Sequence, residues 1–103
     1  MLLTAIRDEF IFNCQYRKLE SKTIGNYRKQ IDYLLRFLEQ EHDIVDMDGV
    51  KTAHIKQFLL RMKQNGRKTN YVNDLLKAFK VYFRYAHEEG YSEKLLTERI
   101  KMP

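Results

Sequence analysis

The chain has 103 residues, 44% hydrophobic and 32% charged, with four Gly and one Pro, which excludes a disordered or collagen-like polymer and suits one domain over residues 1–103. Nineteen Lys/Arg against 14 Asp/Glu leave a net charge of +5. The single cysteine, Cys14, rules out an internal disulfide and a multi-cysteine zinc site.

In chain order, the apolar spacing is helical almost throughout. Thr4 to about Lys18 places Ile6, Phe10 and Cys14 inward. Lys22 to about Glu41 carries Ile24, Tyr27, Ile31, Leu34, Leu35 and Leu38 on one stripe, with Ser21 or Thr23 suited to cap its start. Asp43–Lys51 is a connection, with Ile44, Val45 and Val50 as core plugs and Gly49 at the turn. Thr52 is expected to cap a helix carrying Ile55, Phe58, Leu59 and Met62, which Asn65-Gly66 ends. Arg67 to about Glu89 is the longest element, with Val72, Leu75, Leu76, Phe79, Phe83 and Ala86 inward and Gly90 as its stop. Ser92 and Glu93 suit the start of a short last helix ending near Ile100, before Pro103. No stretch alternates with strand period, and there is no internal repeat. The expected fold is all-α: a single bundle of four main helices plus a short C-terminal helix.

The charges are segregated. Gln15–Arg36 and Arg61–Arg84 together hold 13 Lys/Arg and three acids (Glu20, Asp32, Asp74), while the rest of the chain is net acidic, with Glu39, Glu41, Asp43, Asp46 and Asp48 clustered between the blocks. Such a distribution fits either a mixed solvated surface or a face that meets a polyanion. On the second helix, Lys22, Asn26, Lys29, Tyr33 and Arg36 follow helical spacing, with Arg28 to one side and the Thr23 hydroxyl able to reach a phosphate. On the fourth, Asn73, Lys77, Lys80 and Arg84 form one row, extended by Asn70 and preceded by Arg67, Lys68 and Thr69. An α-helix fits a DNA major groove, Asn can pair two-pronged with adenine, and first-turn amides and hydroxyls suit phosphates. Each row is equally a solvated amphipathic face when taken alone. Gly25, in a first turn where Gly costs about 1 kcal/mol relative to Ala, is either tolerated or marks a close backbone approach.

Catalytic chemistry is not assembled. His42, His54 and His87 lie in different elements without ligand spacing, Cys14 falls at an inward position, and no phosphate-binding Gly loop or serine elbow is present. No nucleophile, base and oxyanion donors can be grouped, so neither an enzyme nor a cofactor or metal site is expected in this segment. Tyr82 and Tyr85 read as packing residues. No apolar run approaches the roughly 18 residues of a membrane span, and charges follow Met1-Leu2-Leu3-Thr4 at once. No membrane segment or secretory signal is therefore expected, and the cytoplasm is the default compartment.

Four stretches, in order, carry a family resemblance. Lys22-Thr23-Ile24-Gly25-Asn26-Tyr27-Arg28 with Leu34-Leu35-Arg36-Phe37-Leu38 resembles the S-x-x-T-I-x-x-Y helix of tyrosine recombinases, the phage-type integrases, in their SAM-like core-binding domain. Thr52-Ala53-His54-Ile55-Lys56-Gln57-Phe58-Leu59 resembles the next helix, I-T-x-x-D-I-x-x-F-L. Tyr71 through Ala86 resembles T-I-N-x-x-L-x-A-L-R-x-F-F-x-Y-A, and Gly90-Tyr91 through Lys101-Met102-Pro103 is similar to the exit segment of the family. Asp74 departs from the pattern where a cation is common, and Tyr91-Ser92-Glu93-Lys94 lacks the usual Asn-Pro.

The resemblance implies a non-catalytic half of a clamp on double-stranded DNA, used in DNA integration and recombination by a phage or mobile element. It implies as partners a catalytic domain further along the same parent chain and other recombinase protomers. It places Thr23, Tyr27 and Arg28 on one groove-facing helix and Asn73, Lys77 and Lys80 on the other. Lys22, Lys29, Arg36, Lys77, Lys80 and Arg84 are then expected to hold phosphates, and Asn70 and Asn73 to meet base edges. The alternative is a helical protein-interaction or regulatory domain with no nucleic-acid role, which exposed apolar residues on the first helix would favour.

Overall fold

The structure is a computed structural model that describes residues 1–101, so the last two residues of the exit motif, Met102 and Pro103, lie outside the described residues. Four α-helices account for most of it: α1 (Leu3–Tyr16), α2 (Ser21–His42), α3 (Thr52–Gln64) and α4 (Thr69–Glu88). One 3₁₀ turn, Met47–Gly49, sits between α2 and α3. Among the described residues there is no sheet, only a single antiparallel bridge between Leu2 and Asp46.

Helix α4 is the centre of the core. Val72, Leu75, Leu76, Ala78, Phe79, Tyr82, Phe83 and Ala86 are all buried along it. It packs against each of the other three helices, and α2 packs against α1 and α3 as well. Aromatic rings tie these layers: Phe58 of α3 lies 5.7 Å from Phe79, and Phe10 of α1 meets Tyr82 edge-on at 6.0 Å. Each such side chain removed from water contributes about 1.5–3 kcal/mol. The Tyr82 hydroxyl is not left unpaired, because it donates to the Leu3 carbonyl at 2.8 Å. Burial accordingly pushes that phenol well above its ordinary pKa. Cys14 is buried, as its inward spacing implies, and burial raises its thiol pKa.

All four helices end on a left-handed residue. Gly66 (φ +87) and Gly90 (φ +82) do so without a Cβ penalty, and Arg67 and Tyr91 then return their amides to the Met62 and Ala86 carbonyls. Lys18 (φ 60) and Asp43 (φ 55) do the same for α1 and α2, although neither is glycine. The Leu19 and Ile44 amides reach back to Cys14 and Leu38 to close those ends.

Several local expectations are corrected. The segment after Gly90 is not a fifth helix; it runs as turns, with Glu98 bonding back to Leu95 and Ile100 to Thr97. The Ser92 hydroxyl donates to the Lys94 carbonyl at 2.6 Å, instead of accepting from first-turn amides, and this local bond competes with helix initiation. Thr52 does not cap α3, since its hydroxyl donates to the Leu96 carbonyl at 2.7 Å and pins the tail to the helix start. The acceptor at that start is His54 Nδ1, which takes the Lys51 amide at 3.0 Å. No side chain caps α2. In the connection, Val50 is buried and Ile44 half-buried, but Val45 is exposed, and Met47 takes the buried place instead.

Candidate nucleic-acid interface

The α2 and α4 rows lie on the sides of their helices turned away from the core. On α2, Lys22, Asn26, Arg28, Lys29 and Arg36 are exposed, and Thr23 is half-buried. On α4 and the turn before it, Arg67, Lys68, Thr69, Asn70, Lys77 and Arg84 are exposed, whereas Asn73 and Lys80 are half-buried. The ends of the rows flank α1. Arg36 borders the cleft between α1 and α2 with Arg7 and Asp32, and Arg84 borders the cleft between α1 and α4 with Asn13 and Arg17.

The cations of both rows have no carboxylate within ion-pair distance among the described residues. The side-chain ion pairs lie elsewhere: Arg7 with Asp8 and Asp32, and Arg61 with Glu41. The Arg7–Asp32 pair, at 2.8 Å, matters for the rows. It gives an α1 cation to the one acid within the α2 cationic stretch, so Asp32 does not draw on Lys29 or Arg36. Burial works against the Arg7 charge, but the bonds to Asp32 and Asp8 outweigh it and hold the guanidinium pKa above its ordinary value.

Three details refine individual residues. The Arg67 guanidinium lies over the Tyr71 ring at 5.0 Å, a cation–π contact that orders it at the α4 start. The Asn73 Oδ1 is buried without a hydrogen-bond partner, so the two-pronged adenine contact open to a free amide is not available in this rotamer. Tyr27 belongs to the core side, its ring 5.9 Å from Phe10. Around Gly25 a Cβ would meet nothing within 4 Å, so no part of this domain forces that glycine.

Sequence reasoning missed one grouping. His42 and His54, expected apart, stand with ring centroids 4.6 Å apart where the end of α2 meets the start of α3. Among the described residues no three His, Cys, Asp or Glu side chains are grouped to hold a metal ion. No described helix is long and apolar enough to cross a membrane.

The described residues thus form a small all-helical domain with unpaired cations on two mutually packed helices. The family is specific: residues 6–93 match the model of the phage integrase N-terminal SAM-like domain, and the chain belongs to that family. The chain is also similar to the tyrosine recombinase XerA of Pyrococcus horikoshii, with 27% identity over 85 residues. That alignment covers 82% of this chain and 28% of XerA, so the chain spans little more than a quarter of this relative. No solved structure matches it.

Proposed function

We propose that this chain is the DNA-binding, core-binding domain of a tyrosine recombinase, one half of a clamp on double-stranded DNA, with the chemistry supplied by another part of the parent protein. The observation that carries this reading is the set of cations on α2 and α4 left without intramolecular acids, while Arg7 and Arg61 outside those rows are paired. Unpaired Lys and Arg release counterions when they meet phosphates, which is the main source of duplex affinity. Lys22, Lys29, Arg36, Lys77, Lys80 and Arg84 act on phosphates, and exposed Asn70 is the better placed of the two α4 asparagines for a base edge. Asn73 offers only its amide nitrogen while its oxygen stays inward. The open surface at Gly25 leaves room for a close backbone approach from a ligand.

The test is a duplex titration of the wild type beside the double variant Lys77→Glu with Lys80→Glu. Two charge reversals on the α4 row are expected to abolish retention at low salt while helix content stays unchanged. Undiminished retention by the variant would assign the row to solvent.

A further inference from the structure

A groove of about 360 Å³ lies between α3, α4 and the tail, outside the α2 and α4 rows. Its floor is Leu59 of α3, Val72 and Leu76 of α4 and Ile100 of the tail. Leu60, 55% exposed, stands at its lip. Helix α3 assembles this edge because Lys56, Leu59, Leu60 and Lys63 recur at helical spacing. The rim is cationic: Lys56, Lys63, Arg99 and Lys101 are exposed around the floor, with no acid among the lining residues. None of these four cations is ion-paired among the described residues.

We propose that this groove binds an amphipathic helix of a partner protein, with large apolar side chains on one face and Asp or Glu along both flanks. Cations in a row, as on α2 and α4, suit phosphates. Cations set around an apolar floor suit a ligand that is apolar at its centre and anionic at its edges, because a phosphate backbone leaves Leu60 and the floor with nothing to bury. A recessed floor takes protruding side chains, not a flat lipid surface. Apolar residues at i, i+3, i+4 and i+7 of a docked helix cover Leu60 and the floor, and its acids meet the rim. The anchors supply most of the affinity, while the rim pairs set orientation and speed of encounter. No helix of this domain is such a ligand among the described residues. Besides Leu60, the large apolar side chains exposed on its helices are Phe12 and Tyr16 of α1. The acids beside them, Asp8 and Glu9, are already held by Arg7 and Tyr91. The occupant is therefore a different polypeptide. Leu60 belongs to neither cationic row, so the proposal stands apart from the DNA reading.

The test is a titration of the 103-residue chain with a panel of synthetic helical peptides that carry Leu and Phe on one face and Glu on both flanks. Amide shifts map the site. Two control peptides are used, one with the same composition shuffled to lose the apolar face, and one with Lys in place of Glu. The chain variants are Leu60→Ser and the pair Lys56→Glu with Lys63→Glu; all three positions are exposed, and circular dichroism checks that the helices persist. The patterned peptides are expected to bind with shifts at Leu59, Leu60, Leu76 and Ile100, and more weakly as salt rises. Each chain variant and each control peptide is expected to weaken binding by roughly tenfold or more. Leu60→Ser is expected to keep its duplex binding, which separates failure here from failure of the DNA reading. Absence of binding by every patterned peptide at millimolar concentration overturns the proposal. A shuffled peptide that binds equally well overturns it too, since charge alone is then recognised. So do shifts confined to the α2 and α4 rows. Displacement of a bound peptide from the groove by a short duplex or by anionic vesicles would give the rim to nucleic acid or to lipid. Self-association of the chain that Leu60→Ser abolishes would give the groove to a second copy.

Discussion

Asn73 shows how a single residue can be polar by type and apolar by position. It stands in a row with exposed Asn70, Lys77 and Arg84, yet its Oδ1 is buried and unpartnered. An orphaned buried acceptor costs about 1–3 kcal/mol, and alanine is the better helix former. Asn73→Ala is therefore expected to leave the melting temperature unchanged or raise it by a few degrees in a domain of this size. Thermal denaturation of the variant checks this; a clear fall would mean that the amide has a partner that stabilises the fold. Tyr91 is the opposite case. Its hydroxyl donates to Glu9 at 2.6 Å, and that bond, with some desolvation, pushes its pKa up to about 12. A residue type that sequence reasoning leaves undecided is thereby committed to holding the tail near α1.

At the scale of the element, the start of α3 is the most informative. His54 Nδ1 accepts the Lys51 amide, which requires that nitrogen to be unprotonated. Burial first, then the neighbouring His42 and Lys51 charges, lower the His54 pKa below its ordinary 6.5. A group whose folded pKa is depressed contributes stability that is present above the unfolded value and lost as pH falls through the folded value. The melting temperature is expected to decline on acidification from neutrality through 6.5 and below. His54→Asn, which keeps an acceptor without a titrating ring, is expected to flatten that decline. Parallel melts of the two proteins across this range isolate the histidine from the carboxylates, which titrate lower. The other anchor is Thr52. Thr52→Val keeps the side-chain shape and removes the donor to Leu96, at an expected cost of about 1 kcal/mol. Hydrogen exchange is expected to quicken in residues 92–100 and not in α4, because the lost bond holds the tail alone.

The whole molecule measures 36 × 29 × 24 Å, so its longest side matches roughly one turn of duplex, about 34–36 Å. A module of that length reaches only a few phosphates. If about five are neutralised, log affinity is expected to fall with log salt at a slope of about −4 to −5. Duplex titrations from low to moderate salt measure that slope, and the absence of duplex binding at low salt would remove the basis of the DNA reading. The isolated domain is expected to bind weakly, because a half-clamp lacks the high local concentration that a tethered second half supplies.

Much of the architecture was legible in the chain because its signals are local. The 3.6-residue spacing of apolar side chains places four helices, and Gly66 and Gly90 end two of them where a left-handed turn is needed. The segregation of cations onto two helices is equally a matter of spacing along the sequence. What only the tertiary structure decided concerns partners far apart in sequence. Arg7 finds Asp32 and leaves the α2 row uncontested, Thr52 takes the Leu96 carbonyl and forgoes capping, and Tyr82 closes onto Leu3. Whether an apolar residue is core or surface is likewise settled by which element comes to cover it. Met47 is covered and Val45 is not, while Phe12 and Tyr16 remain open on α1 because the core accepts only the opposite side of that helix.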